Sequence, residues 1–324
     1  MLLSVAAVIA GLIFLVWGAE RTVMGASGLA RNFGVSPLII GLTIVGFGTS
    51  APEMLVAGVA SSDGNPGLAI GNALGSNITN IALVLGVTAM VTALSVSSNV
   101  VRREIPVLLA VSLLAFWLMS DGELSFVDGA VLIIGMFVMI GLVVRMGISA
   151  ANAGDPVEAE FSDEIPEGMA TGTAVFWALF GIIVLLASSK ALVWGAVNIA
   201  QAFGVSDLII GLTIVAIGTS LPELMASVMS ALKKEHDMAI GNIIGSNMFN
   251  ILGVMALPGL IAPGIFDADV LARDFPWMIG LTLALFLVAY GFRGPGKVTR
   301  WEGALLLIAY VVYMVILYRS AMAA

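Results

Sequence analysis

The sequence has no cysteine, a single histidine and few charged side chains. The lack of cysteine excludes disulfides and thiolate metal sites, although it does not identify the cellular compartment. Only 10% of the 324 residues are charged, whereas a soluble domain has about a quarter. Neither a Ser/His/Asp set nor a His-Glu-x-x-His motif is present, so we expect no enzyme and no cofactor. His236, the one histidine, is expected in a solvated turn.

Long apolar runs dominate the chain, of which 60% is hydrophobic. The runs have the length of membrane-spanning helices, for which about 20 apolar residues suffice. They predict an all-α membrane protein with ten transmembrane helices. The N-terminal residues have no basic segment before the apolar run, which favours a retained helix over a signal peptide. The predicted spans are at about 3–27, 37–60, 67–92, 105–120, 126–146, 172–200, 207–232, 238–262, 275–292 and 301–319.

An acidic stretch at 151–171 divides the ten spans into two groups of five, 1–150 and 172–324. It contains two prolines and is expected to be a solvated cytoplasmic linker, with a calcium-sensing role as the weaker alternative. Much of the net charge of −8 comes from this stretch, so neither a nucleic acid nor an obligatory protein partner is indicated. The lipid bilayer is the expected environment. The linker acids are Asp155, Glu158, Glu160, Asp163, Glu164 and Glu167.

The distribution of lysine and arginine predicts the orientation in the membrane. With the N-terminus outside, the inner loops contain nine of these residues and the outer loops contain two, Arg273 and Arg319. Because positive residues favour the cytoplasmic side, both termini are predicted outside. The chain is thus expected to cross the membrane several times.

A polar motif occurs twice inside the apolar runs. Gly48–Glu53 reads Gly-Thr-Ser-Ala-Pro-Glu, and Gly218–Glu223, 170 residues later, reads Gly-Thr-Ser-Leu-Pro-Glu. The surrounding segments, 37–92 and 207–262, repeat with the same offset, which becomes 174 near Asp128 and Glu302. An odd number of spans per half predicts that the second copy enters the membrane upside down. Inverted repeats with helices broken at the midplane are typical of transporters.

The motif places carboxylates and helix breakers at mid-membrane depth. Ionised Glu53 and Glu223 must be paired, protonated or bound to cations, because burying a bare charge in hydrocarbon is costly. Pro52 and Pro222 cannot donate helical hydrogen bonds, so they are expected to free carbonyls near Gly46, Gly48 and 216–218. Such an oxygen-rich site without imidazole suits Ca²⁺ or Na⁺. The alternatives are a protonated glutamate bonded to a neighbouring helix and a simple packing kink.

The third and eighth spans are predicted to supply the facing wall of this site. Asn72, Ser76 and Asn80 recur every four residues on one helical face, and the second half repeats them as Asn242, Ser246 and Asn250. Ion ligation is favoured for the serines and for Asn80 and Asn250. For Asn72 and Asn242 the choice between ligation and interhelical hydrogen bonding stays open.

These paired motifs resemble the α-repeats of the cation/calcium antiporter superfamily, and most closely the prokaryotic sodium/calcium exchangers. The resemblance covers nearly the whole chain and implies exchange of Ca²⁺ for Na⁺ by alternating access. It also implies a location in the cell (inner) membrane of a prokaryote. It implies that Glu53, Glu223, Thr49 and Thr219 bind Ca²⁺, and that the Na⁺ sites add Ser50, Ser76, Ser220 and Ser246. It also implies ligation by the carbonyls of Gly46 and Ala216. The long first and sixth helices correspond to the family's sliding pair.

One departure from the family pattern leaves alternatives open. Many relatives have aspartate at the last motif position of one repeat, whereas this chain has Asn80 and Asn250. A Ca²⁺/H⁺ antiporter, or one for another divalent cation, is therefore the second hypothesis. A cation channel is a third hypothesis, which inverted repeats with paired carboxylates make a poor fit.

Overall fold

The computed structural model describes residues 2–34, 40–64, 66–96, 103–153, 169–202, 216–290 and 296–323. Within these ranges the chain forms twelve helices and four short strands. In chain order they are α1 (Leu2–Phe33), α2 (Gly41–Thr49), α3 (Ala51–Ser62), α4 (Pro66–Val91), β1 (Leu94–Val96), α5 (Ile105–Leu118), β2 (Glu123–Leu124), α6 (Phe126–Ala153), α7 (Thr171–Ala202), α8 (Ala216–Thr219), α9 (Leu221–Leu232), α10 (His236–Ile261), β3 (Gly264–Ile265), α11 (Val270–Ala289), β4 (Gly296–Val298) and α12 (Arg300–Ala323).

The described helices support a membrane protein with several spans. Six are long and apolar enough to cross a bilayer, and the bent pair α2–α3 makes a seventh. Three further apolar helices, α5, the Phe126–Leu142 part of α6, and α9, are shorter. Each of the ten predicted segments thus contains described helix, while the count of ten spans stays a prediction. The acidic linker and its calcium-sensing alternative fall largely at 154–168, outside the described residues.

Helices α1 and α7 pack closely along their length in antiparallel directions. A Cβ atom added at Gly25 would lie 2.3 Å from the backbone nitrogen of Ala178, and one at Gly181 would lie 2.5 Å from that of Thr22. At one end of the pair, the Asn32 side chain donates a hydrogen bond to the Met169 carbonyl at 2.9 Å. Glycine therefore allows backbone-to-backbone contact between these two 32-residue helices.

Helices α4 and α10 lie at the centre of the molecule. From Met238 to Asn250, every side chain of α10 is buried, and the largest cluster of apolar side chains surrounds both helices. Phe249 from α10 and Phe275 from α11 are among its largest buried members. Because α4 and α10 also carry the repeated serines and asparagines, the polar site lies inside this core.

Equivalent capping contacts recur in the two halves at the offset of 174 residues. Asp128 Oδ2 accepts hydrogen bonds from the Ser125 backbone nitrogen and hydroxyl at 2.9 and 2.6 Å, at the start of α6. Glu302 Oε2 accepts the corresponding bonds from Thr299 at 2.6 and 2.8 Å, at the start of α12. A hydroxyl followed three residues later by an acid is the capping-box arrangement, which satisfies free donors of a helix start.

The short strands pair across the two halves of the chain. Strand β1 is antiparallel to β4, and β2 is antiparallel to β3. At the sequence offsets of 170 and 174, β3 is the counterpart of β1 and β4 is the counterpart of β2. Each two-stranded sheet therefore joins one strand from the first half to one from the second.

His236 differs from the solvated turn that the sequence predicts. It is the first residue of α10 and is only partly exposed. Its Nδ1 atom accepts a hydrogen bond from the Ser95 backbone nitrogen of β1 at 3.0 Å. The prediction was wrong because the flanking Lys233 and Lys234 indicated solvent, whereas the strand that covers the histidine is distant in the sequence.

Glu104 is a buried carboxyl group outside the predicted spans, and its ionisation should affect the stability of the fold. It is 8% exposed just before α5, and burial raises its pKa to about 7, with the opposite charge of Arg103 limiting the shift. A raised folded-state pKa means that stability is lost as pH rises from the unfolded-state pKa of about 4.5 through about 7.

We expect Glu104→Gln to raise the melting temperature above pH 7.5 and to leave it unchanged near pH 4, as thermal unfolding of the purified protein would show. An increase of equal size at both pH values would contradict burial of the charge as the cause.

Candidate cation site

The backbone of the first motif breaks at Ser50. This residue has φ −81° and ψ 5°, outside the helical region, and separates α2 from α3. The two helices meet at an angle of 48°. Pro52 lies in the first turn of α3, where its missing N–H costs no helical hydrogen bond. The break predicted from the proline is therefore confirmed, and it places Glu53 in the first turn of a new helix.

The second motif has the same local geometry. Ser220, with φ −89° and ψ 4°, separates α8 from α9, and Pro222 and Glu223 lie in the first turn of α9. The backbone hydrogen bonds differ, since the Ser50 nitrogen donates to the Gly46 carbonyl and the Ser220 nitrogen donates to that of Ile217, both at 3.1 Å. The expectation that proline frees the Gly46 carbonyl is thus wrong, although a carbonyl retains a second lone pair.

Side chains of the first motif reach residues of the second half. The Ser50 hydroxyl donates to Glu223 Oε1 at 3.2 Å. Thr49 Oγ1 lies 3.0 Å from the Val45 carbonyl, 3.2 Å from Asn242 Oδ1 and 3.5 Å from Ser246 Oγ. Both hydroxyls have acceptors for their protons, which leaves their oxygen lone pairs available to a cation.

Two asparagines hold the backbone at the motif glutamates. Asn72 Nδ2 donates to the Glu53 carbonyl at 3.2 Å, and Asn242 Nδ2 donates to the Glu223 carbonyl at the same distance. Asn242 also donates to Ser227 Oγ at 2.8 Å. The amide nitrogens of Asn72 and Asn242 thus form the interhelical hydrogen bonds that the sequence offered as one of the two alternatives. This positioning role was not evident from the sequence, because it depends on a contact between helices.

Several buried oxygen atoms in the same region have no hydrogen-bond partner within the described ranges. Glu53 and Glu223 are 0% and 1% exposed, and their carboxyls interact electrostatically. Thr219 lies close enough to interact with the Glu53 carboxyl, although neither oxygen of Glu53 has a partner with full hydrogen-bond geometry. The buried oxygens without such a partner are Glu53 Oε1 and Oε2, Glu223 Oε2, Ser220 Oγ, Asn80 Oδ1 and Asn250 Oδ1.

These oxygens are the donor types that hard cations prefer. Unpaired buried polar atoms are costly, so a concentration of them is a reason to expect a ligand. Ca²⁺ and Na⁺ accept carboxylate, hydroxyl and amide oxygens. Among the described residues, no group of three or more His, Cys, Asp and Glu side chains forms a metal cluster. The site therefore combines two carboxylates with neutral oxygens.

A turn of π-helix begins at each of the last motif asparagines. It covers Asn80–Val84 in α4 and Asn250–Val254 in α10. The additional residue in such a turn interrupts the regular four-residue spacing, and π-turns occur frequently at functional sites. The sequence predicts uninterrupted helix here, because a π-turn has no distinctive residue type.

Helix α2 packs closely against α10 beside the site. A Cβ atom added at Gly245 would lie only 2.5 Å from the Leu42 carbonyl oxygen of α2. The equivalent segment of the second repeat, 207–215, lies outside the described residues, so this close approach is described for the first repeat alone.

Most of the predicted site residues are buried in this region. Glu53, Glu223, Thr49, Ser50 and Ser246 are linked by the contacts above. Ser76, Asn80, Ser220 and Asn250 are 0–4% exposed, and Gly46 is also buried. Thr219 is partly exposed, and Ala216 begins α8. Asn77 and Asn247, another repeated pair, are buried with unpaired amide oxygens, and the sequence alone had indicated no role for them.

Comparison with known proteins identifies the family of this chain. The family described as sodium/calcium exchanger protein matches residues 3–145 and 173–319. The chain belongs to the sodium/calcium exchanger family. It is therefore a member of a family of membrane transporters. The match is interrupted between residues 145 and 173, where the acidic linker lies.

Relatives of this exchanger-family chain match over nearly its full length. The putative antiporter CaxA of Alkalimonas amylolytica is 47% identical over 99% of this chain and 100% of its own. The inner membrane protein YrbG of Escherichia coli is 40% identical over 98% of both. The sodium/calcium exchanger MaX1 of Methanosarcina acetivorans is 29% identical over 95% of this chain and 96% of its own.

Solved structures share the fold of this family member. A structure of the sodium-calcium exchanger NCX_Mj, soaked with 2.5 mM Na⁺ and 0.1 mM Ca²⁺, has a TM-score of 0.83 and 33% sequence identity. The match covers 97% of this chain and 98% of that one. The fold is therefore that of a membrane cation exchanger.

Proposed function

We propose that this protein exchanges Ca²⁺ for Na⁺ across the cell membrane by alternating access. The main support is the set of unpaired carboxylate and amide oxygens at equivalent positions of the two repeats, beside hydroxyls from both halves. Membership of the family and the names of MaX1 and NCX_Mj support the choice of ions.

The two glutamates explain how the ions would compete. Together Glu53 and Glu223 contribute a charge of about −2, which one Ca²⁺ neutralises, as do two Na⁺ ions, while neutral oxygens hold a third. An empty anionic site resists transfer across the low-dielectric membrane, so that only the occupied site changes sides. The proposed ligands are Glu53, Glu223, Thr49, Thr219, Ser50, Ser220, Ser76, Ser246, Asn80, Asn250 and the carbonyls of Gly46 and Ala216.

The strand pairing also supports alternating access. The crossed pairing is the pattern expected for two inverted five-helix repeats, here 1–150 and 172–324. The excess of positive residues supports both termini on the outer side.

Proteoliposomes loaded with Na⁺ provide the direct test. We expect uptake of ⁴⁵Ca²⁺ that increases with the outward Na⁺ gradient and saturates with external Ca²⁺. Unlabelled external Ca²⁺ added after loading should release the label by counterflow, which a simple pore does not produce. Uptake unaffected by the Na⁺ gradient would refute sodium coupling.

The asparagines at both last motif positions favour Ca²⁺/H⁺ exchange as the second candidate. We expect Asn250→Asp to change the pH or Ca²⁺ dependence of exchange without abolishing it, because aspartate adds a charge where Asn250 is fully buried. The measurement is initial ⁴⁵Ca²⁺ uptake across a pH series with a fixed Na⁺ gradient. Asn80→Asp tests the equivalent position, and an unchanged pH profile in both variants would exclude a role for these side chains at the ion site.

A further inference from the structure

One arginine lies between two tryptophans on the α1–α7 pair, away from the cation site. The Arg21 guanidinium carbon is 5.4 Å from the ring centroid of Trp17 in α1 and 5.0 Å from that of Trp177 in α7. Nη1 contacts Met24 Sδ at 3.8 Å, and Nε is buried without a hydrogen-bond partner. The cation is therefore held in place by aromatic faces, while its capacity as a hydrogen-bond donor is largely unused.

The charge of Arg21 has no carboxylate partner in the part of the chain that the structure describes. Arg273, by contrast, is paired with Asp269 and Asp274. Glu20 is the adjacent acid, but neighbouring helix positions point about 100° apart. An arginine in an otherwise apolar spanning helix needs an anion or access to water. A planar guanidinium is well suited to binding phosphate.

An exposed apolar strip runs along α7 from the arginine. Phe176, Leu179, Phe180 and Ile183 occupy one helical face and are 55%, 54%, 38% and 60% exposed. The rings of Phe176 and Phe180 stack with centroids 5.4 Å apart, and the ring of Trp17 meets Phe180 edge-on at 6.1 Å. A cation at one end of an apolar strip is complementary to a molecule with an anionic head and an acyl chain.

The position along α7 agrees with a lipid headgroup. Trp177 is six residues after Thr171, the first residue of α7, which corresponds to a rise of about 9 Å. Tryptophan is enriched at this depth, near the boundary between the headgroups and the hydrocarbon. The adjacent linker is cytoplasmic in the proposed orientation, so the site would belong to the inner leaflet, where anionic lipids are attracted by basic side chains.

We propose that Arg21, Trp17 and Trp177 bind the phosphate of an anionic phospholipid, with an acyl chain lying along the Phe176–Ile183 strip. The bound lipid supplies the missing negative charge and covers the junction between α1 and α7. This site is separate from the transported ions and does not depend on which cation drives exchange.

The test compares wild-type protein with Arg21→Gln in nanodiscs of phosphatidylcholine that contain increasing fractions of phosphatidylglycerol. The protein is then released from the nanodiscs, and native mass spectrometry counts the phosphatidylglycerol molecules that remain bound to it. We expect Arg21→Gln to weaken retention about tenfold, because a charge-assisted contact is lost. Lys190→Gln is the matched control, since it removes the exposed cation elsewhere in α7 and should leave retention unchanged.

A second variant and a competition experiment separate lipid binding from a purely structural contact and from binding of free anions. Trp177→Leu keeps the charge and removes the indole, so it should weaken retention to a smaller extent, and it remains informative if Arg21→Gln does not fold. Equal retention by wild type, Arg21→Gln and Trp177→Leu would show that the arginine–tryptophan contact is only structural and would overturn the proposal. An equal loss in Lys190→Gln would also overturn it. Displacement of phosphatidylglycerol by millimolar inorganic phosphate would instead indicate a site for free anions.

Discussion

Glu53→Gln and Glu223→Gln should each reduce Na⁺-driven Ca²⁺ uptake by about 100-fold or more, equivalent to about 2.7 kcal/mol. Each substitution keeps the size of the side chain and removes one of two fully buried carboxyl groups. A divalent cation then meets a site with only one carboxylate to bind it, so the loss should be severe in both variants. Initial rates of ⁴⁵Ca²⁺ uptake into Na⁺-loaded proteoliposomes provide the measurement.

Glu104→Gln is the matched control for the loss of a buried carboxylate. Glu104 is also buried but lies before α5, outside the cation site, so its variant should retain exchange. Melting temperatures of all three variants would show whether folding is intact. Robust exchange by either site variant would mean that the two halves do not form one shared cation site.

Gly245→Ala should destabilise the protein and impair exchange. The added Cβ would lie 2.5 Å from the Leu42 carbonyl oxygen and 2.8 Å from its Cα, and neither backbone atom can rotate away. The resulting separation of α2 from α10 should cost about 1–3 kcal/mol, as measured for overpacked cores. It should also displace Thr49 from Asn242 and Ser246. Thermal unfolding and ⁴⁵Ca²⁺ uptake report the two effects separately.

Gly280→Ala in α11 provides a comparison. Gly280 is exposed, and no atom of the described residues lies within 4 Å of its added Cβ. We therefore expect a smaller fall in melting temperature than for Gly245→Ala. Equal destabilisation by the two substitutions would contradict the contact with Leu42 as the cause.

The local features of the site could be predicted from its residue types. Proline at 52 and 222 predicts a break on steric grounds, and both breaks occur two residues earlier, at Ser50 and Ser220. The repeat offset of 174 identified Asp128 and Glu302 as equivalent, and both cap the start of a helix. These predictions succeeded because each depends on interactions within a few residues of the chain.

Features that depend on distant contacts were not predictable in the same way. The Ser50 hydroxyl bonds Glu223, 173 residues away, and the Thr49 hydroxyl approaches Asn242. Nothing at Asn80 or Asn250 distinguishes a π-turn from regular helix. The four strands are too short to show an alternating pattern, and β3 has only two residues.

The crossed strands have a consequence for how the protein is made. The partner of β1 is β4, about 200 residues later in the chain, and β2 likewise has no partner until β3 has been synthesised. A ribosome that has completed only the first half, 1–150, therefore leaves the edges of β1 and β2 unpaired. The two halves therefore cannot complete their folding one after the other as independent units. The strands of the first half can pair only after the second half has been translated.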